Sequence, residues 1–161
     1  MYSVTMQNQT IVADATLVII HTDSTLATGG SNIMLLRAWV GQQASETSDQ
    51  LGVMIALKAS AFGTYTSTTP QGHFVGGRVS GIVGGTTGAE GTAGTDASAE
   101  GAGTVTPIIY DGFNNLNGWL WVPTPEERII VPADTAVILK IVGTPAALGN
   151  WSAGITFLEL N

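Results

Sequence analysis

The chain has 161 residues, 44% of them hydrophobic and only 11% charged, with 21 glycines and no cysteine. Five basic against twelve acidic side chains leave a formal charge of −7, a sign that repels phosphate, so nucleic acid is not an expected partner. Without cysteine there is no disulfide scaffold or Cys-based zinc site. No apolar run approaches the ~20 residues of a membrane helix, and the length fits one domain spanning residues 1–161.

The opening Met1-Tyr2-Ser3-Val4-Thr5 has neither the basic nor the apolar region of a signal peptide, so synthesis in the cytoplasm is expected. The sequons at Asn8 and Asn150 are then read as fortuitous. Tyr2 to Met6 and Thr10 to Val12 read as a first strand or bent pair, and the β-branched run Ala15 to Thr22 as the next strand. Ser24 to Asn32, with Gly29-Gly30, is a turn region. From Ile33 to Val40 apolar residues fall on both alternating faces, so both are expected to be at least partly covered.

Gly41 to Asp49 is a polar connection with room for a short helical turn. The clearest alternation follows: Leu51, Val53, Ile55 and Leu57 against Gly52, Met54, Ala56 and Lys58, a strand with one core face. Ala59 to Pro70 is rich in Ser and Thr and ends in a turn signal. Gln71 to Thr104 is the compositional outlier, with hardly a large side chain after Val83. Gly85, Gly88, Gly91 and Gly94 recur every third residue, but too few triplets and no proline argue against collagen. The expectation is a long Gly/Ala/Thr-rich loop or arm over about 75–104, free to order against a neighbouring subunit.

Thr104 to Tyr110 returns to strand, and Pro107 places it at an edge or a bulge. Trp119 to Val122, Arg128 to Val131, Ala136 to Val142 and Ile155 to Leu160 complete the strands. A type I turn over Val131 to Thr135 carries Pro132 at its second position. Eight or nine strands with long connections and no amphipathic helix predict an all-β antiparallel sandwich, jelly-roll-like.

Candidate chemistry is sparse. His21 and Asp23 would share one side of a strand, but a metal site needs more ligands and His73 is far away in sequence. Glu126 and Glu127 are adjacent and would point to opposite faces, unlike a glycosidase pair, so with Arg128 they read as a strand cap and a surface or intersubunit ion pair. Asp111 with Asn114, Asn115 and Asn117 offers oxygens for calcium in a spacing unlike an EF-hand, and Asn-rich turns arise for backbone reasons alone. No phosphate-binding loop or nucleophile elbow is present. No catalytic, metal or cofactor site is therefore expected, and the chain does not read as an enzyme. The four tryptophans, Trp39, Trp119, Trp121 and Trp151, read as core or subunit interface ahead of a sugar platform.

Several segments carry a family likeness: Arg37-Ala38-Trp39-Val40-Gly41-Gln42-Gln43, Ser45 through Val53, Thr66-Ser67-Thr68-Thr69-Pro70, Asn117-Gly118-Trp119-Leu120-Trp121, Pro125-Glu126-Glu127-Arg128-Ile129 and Val131-Pro132-Ala133. Together they resemble small structural proteins encoded near the capsid genes of tailed bacteriophages, similar to capsid decoration (cement) proteins. The resemblance implies a compact β fold, assembly as a homotrimer, and the major capsid protein as partner on the outside of the virion. It brings no ligand, metal or catalytic residue. A jelly-roll capsid protein and a tail or head-fibre adhesin binding glycan through exposed tryptophans are the rival expectations.

Overall fold

Residues 1–11, 14–24, 32–43, 47–74, 76–77, 79–146 and 149–160 are described by the computed structural model. The Gly29-Gly30 turn, the middle of the 41–49 connection, and the ends of two expected segments at Val12 and Val75 lie outside the described residues. Among the described residues thirteen strands follow one another: β1 (Tyr2–Thr10), β2 (Ala15–His21), β3 (Asn32–Gln43), β4 (Gln50–Ala59), β5 (Thr64–Ser67), β6 (Gln71–Gly72) and β7 (Val83–Gly84), then β8 (Thr92–Ala99), β9 (Thr104–Asn114), β10 (Trp119–Trp121), β11 (Ile130–Val131), β12 (Ala136–Val142) and β13 (Asn150–Leu160).

They form two sheets. The first is ordered β10-β3-β13-β1-β6, with β11 also on β3. The second is ordered β5-β8-β2-β12-β4-β9, with β7 on β8. Every pairing is antiparallel except the short β7–β8 contact. Taking β1, β2, β3, β4, β9, β10, β12 and β13 as principal strands one to eight, the sheets read one-eight-three-six and two-seven-four-five. That double Greek-key order is a jelly roll.

Alternation explains which side of each strand is buried. Leu51, Val53 and Ile55 of β4 face the core between the sheets with Val137, Leu139 and Ile141 of β12. From the first sheet, Ile33, Leu35, Ala38 and Val40 of β3 meet them, with Trp151, Ile155 and Phe157 of β13. Trp151 is fully buried and meets Phe113 edge-on, ring centroids 6.4 Å apart.

The outer face of the second sheet is buried too. Ile19, Met54, Ala56, Ala136 and Ile138 form a second core there, covered by Tyr65 and Phe62 from the excursion between β4 and β9. This is why Leu17 to Ile20 of β2 and Ala136 to Leu139 of β12 are apolar without alternation: a strand covered on both faces has no need of it. Among the described residues, the outer face of the first sheet has no such cover over β3, β10 and β11.

The Gly-rich stretch is more ordered than its composition suggests. Within it, β8 pairs with β2 on one side and β5 on the other. Gly94 is required where β8 passes beneath Tyr65: a Cβ there would stand 2.7 Å from the Tyr65 Cβ. The described part of the segment packs on its own fold, and where a loop was expected residues 92–99 are a strand of the second sheet. Pro107 sits as expected, on edge strand β9 at a break in register with β4.

Candidate interaction surface

The uncovered face of the first sheet is built by the outward residues of β3, β10, β11 and β13. Register sets Leu120 beside Trp39, Gly154 on the other side of Trp39, and Ile130 and Leu158 on either side of Met34. Leu120 and Ile130 are 59% and 56% exposed. The Trp39 indole lies flat over Gly154, where a Cβ would come within 2.2 Å of the ring. The Arg37 guanidinium lies over the same ring, 4.9 Å from its centroid, a cation–π contact that also pins the charge to the sheet. Arg128 reaches the same face, its Nη1 3.9 Å from the Met34 sulfur.

This placement of charge is unusual for the chain. Lys58 and Lys140 are buried and Arg78 lies outside the described residues, so Arg37 and Arg128 are the exposed side-chain cations among them. Among the described residues, these four strands put no carboxylate on the outward face: Glu159 shares the inward direction of its partner Ile33 and accepts hydrogen bonds from Ser80 Oγ and the Gly81 amide. An apolar, arginine-bearing face on a molecule of charge −7 has the composition of a protein–protein interface.

The edge next to this face is different. There β9 of the second sheet and β10 of the first end their sheets, and Ile108 and Tyr110 are 44% and 63% exposed. Asp111 joins the sheets at this edge, its Oδ2 accepting from Trp119 Nε1 at 3.1 Å. Just beyond β10, Pro125–Glu127 forms a 3-10 turn with Glu126 and Glu127 exposed. Glu127 accepts from Thr124 Oγ1 at 3.2 Å. The edge is therefore apolar and acidic.

A groove of about 340 Å³ runs where face and edge meet, lined by Trp39, Gln42, Gln43, Asn117, Trp119 and Ser152 among others. Its tryptophans offer no free platform. Trp39 is held between Gly154 and Arg37, while Trp119 and Trp121 share an inward face, as expected, and pack on the core. The Gln42 amide oxygen is taken by Asn115 Nδ2 at 2.6 Å.

The remaining candidates serve the fold. His21 is buried against Phe62, ring centroids 4.7 Å apart, with Nδ1 2.8 Å from the Gly88 carbonyl and Nε2 3.7 Å from Asp134. His73 is far from it, bonded to Ser3 Oγ. Asn115 is buried and bonds the Asp49 amide and the Thr47 carbonyl, while Asn114 bonds Ser48 and the Leu116 amide, so the Asn-rich turn spends its side chains on backbone and neighbours. Thr22 Oγ1 donates to the Pro132 carbonyl at 2.6 Å and accepts from the Thr135 amide, which holds the turn before β12. Among the described residues, no three His, Asp or Glu side chains are placed to hold a metal ion.

One cluster was not foreseen from the residues. On the covered face of the second sheet, Lys140 lies 3.4 Å from both Asp14 and Glu100. Lys58 donates to the Glu100 carbonyl at 2.8 Å, and Glu100 accepts from the Thr16 amide and hydroxyl. Burial pulls the Lys58 ammonium below its ordinary pKa against the opposing pull of Glu100. Burial and the Glu100 charge push the Tyr65 hydroxyl up to about 12. Both lysines stand at outward positions of their strands, the period that should have been solvent, so only their long-range partner reveals the burial.

Compared with known families, curated proteins and solved structures, the chain has no match: no family model fits it, and no curated protein or solved structure is significantly similar.

Proposed function

We propose that this protein is a structural component of a virion, a capsid decoration protein that binds the outer surface of a phage head as a small homo-oligomer and stabilises it. The observation that carries an interaction role is the sheet face where half-buried Trp39 and Met34 lie among exposed Leu120, Ile130, Arg37 and Arg128. A face of that kind is kept for a partner, since left bare it invites aggregation. The sequence resemblance supplies the setting, with the major capsid protein as partner and a trimer as the assembled form. Weak contacts repeated by a symmetric oligomer over many equivalent shell positions add up to tight binding. The −7 charge suits a protein that has to assemble without competing for packaged DNA.

Quantitative mass spectrometry of gradient-purified particles carrying this gene tests the reading. A copy number equal to that of the major capsid protein, or about a third of it, is expected for a shell component. Absence from the particles overturns it. The second reading, an adhesin, draws on the polar rim of the groove beside Trp39, where Gln43, Asn117 and Ser152 line it. Glycan-array binding that Trp39→Ala abolishes would favour it over decoration.

A further inference from the structure

We infer that the bare face of the first sheet is covered by a second copy of this chain, which inserts its β9–β10 edge head-to-tail. The inference deepens the proposed self-association and rests on it, naming the two surfaces that meet. Charge complementarity selects the partner. Among the described residues, the outward side chains of β3, β10, β11 and β13 include Arg37 and no carboxylate, and Arg128 reaches the same face, whereas Asp111 and the exposed turn residues Glu126 and Glu127 lie at the edge. Face against face would set arginines against arginines, and edge against edge would set carboxylates against carboxylates; like charges brought together at an interface cost several kcal/mol. Face against edge pairs opposite signs and buries apolar side chains from both sides, Trp39, Met34 and Ile130 from one copy, Ile108 and Tyr110 from the next.

The same contact disposes of an exposed sheet edge. With β4 on one side only, β9 presents eleven residues of edge strand, a template for unwanted pairing unless something blocks it. A head-to-tail contact either closes into a ring or runs on as a filament. The proposed form is the closed ring, in which every contact turns the next copy by the same angle and about three or four copies complete the circle. The acidic remainder of each subunit, including the covered second sheet, is left on the rim.

The test uses the isolated full-length chain without particles, its mass read by light scattering and native mass spectrometry at micromolar concentration. A closed oligomer of about three or four copies is expected. Two charge-reversed variants follow, Arg37→Glu with Arg128→Glu on the face, and Glu126→Arg with Glu127→Arg on the edge. All four side chains are exposed, so circular dichroism should be unchanged, and each variant should dissociate at protein concentrations at least about ten-fold higher than the parent does. Combining all four substitutions in one chain restores opposite signs and should restore the oligomer. A monomeric parent, a two-fold dimer, or reversals that leave the mass unchanged would each overturn the inference. A monomer would leave association with particles standing, while a ring-forming chain absent from particles would remove the decoration role and leave the ring.

Discussion

Gly154 shows how a single missing Cβ shapes the candidate surface. On β13 it faces outward, opposite Trp39, and the indole fills the space its side chain would need. Gly154→Ala should therefore lift Trp39 off the sheet, costing about 1–3 kcal/mol as an overpacked contact and changing tryptophan fluorescence without unfolding the core. Unaltered emission and unfolding midpoint would mean that the ring does not lie there. Glu100 is the corresponding residue on the covered side, the shared partner of two buried lysines. Glu100→Gln keeps the hydrogen-bonding shape and removes the charge. Because Glu100 is partly exposed and Asp14 still faces Lys140, a loss of about 1–3 kcal/mol in urea unfolding is expected.

The neighbouring Tyr65 gives this cluster a signature in pH. Its folded pKa of about 12 lies above the ordinary 10.0, so in that interval the unfolded chain releases a proton that the folded chain keeps, and stability falls as pH rises. Lys58 has the opposite sign: its folded pKa lies below 10.5, so stability rises as the pH climbs toward that value and gains nothing beyond it. Above pH 10.5 the Lys58 gain has ended, and of these two groups only Tyr65 still changes stability. The urea midpoint should drop toward pH 12, by the equivalent of about 2 kcal/mol, and Tyr65→Phe should flatten that decline. An equally steep decline in the variant would place the titration elsewhere.

At the level of elements, the informative strand is β8. Thr92 to Ala99 contains only Thr, Ala, Gly, Asp and Ser, with no hydrophobic period to read, and it was expected to be loop. It is a strand because two neighbours supply its hydrogen bonds and the space beneath Tyr65 admits only small side chains. Amide hydrogen exchange checks this directly: the inward-paired amides of β8 should be protected to the same order as those of β2, whereas exchange at coil rates would restore the mobile arm. By contrast β4, β9 and β12 were legible, since alternation, a strand proline and a β-branched-rich apolar run each have one structural meaning. The buried lysines were not, because Glu100 lies 42 residues from Lys58 in sequence and periodicity carries no information over that span. The bare face was half legible: Trp39 and Arg37 stood out by type, but which side of β3 lay under the other sheet was decided by strands more than a hundred residues away.

For the molecule as a whole, the two faces of the sandwich have different fates. The chain's own excursion between β4 and β9 covers the outside of the second sheet, and the outside of the first is left for something else. Charge follows the same division, with exposed arginines on the bare face and the lysines sealed beneath the covered one. If the bare face meets a charged edge, assembly should weaken with salt. The oligomer should be least stable near 1 M salt, where the Debye length falls to about 3 Å, and sedimentation across a salt series reads this. An oligomer indifferent to salt would point to apolar contact alone.

The place of β13 has a consequence for how the molecule is made. It is the last of these strands to leave the ribosome, yet it lies in the middle of its sheet, between β1 and β3. Until it arrives, two long strands synthesised far earlier have no shared neighbour, and the core beneath Trp151, Ile155 and Phe157 is open. The first sheet therefore cannot close stepwise as the chain grows, and translation that stops before Asn150 yields a product without a centre for that sheet.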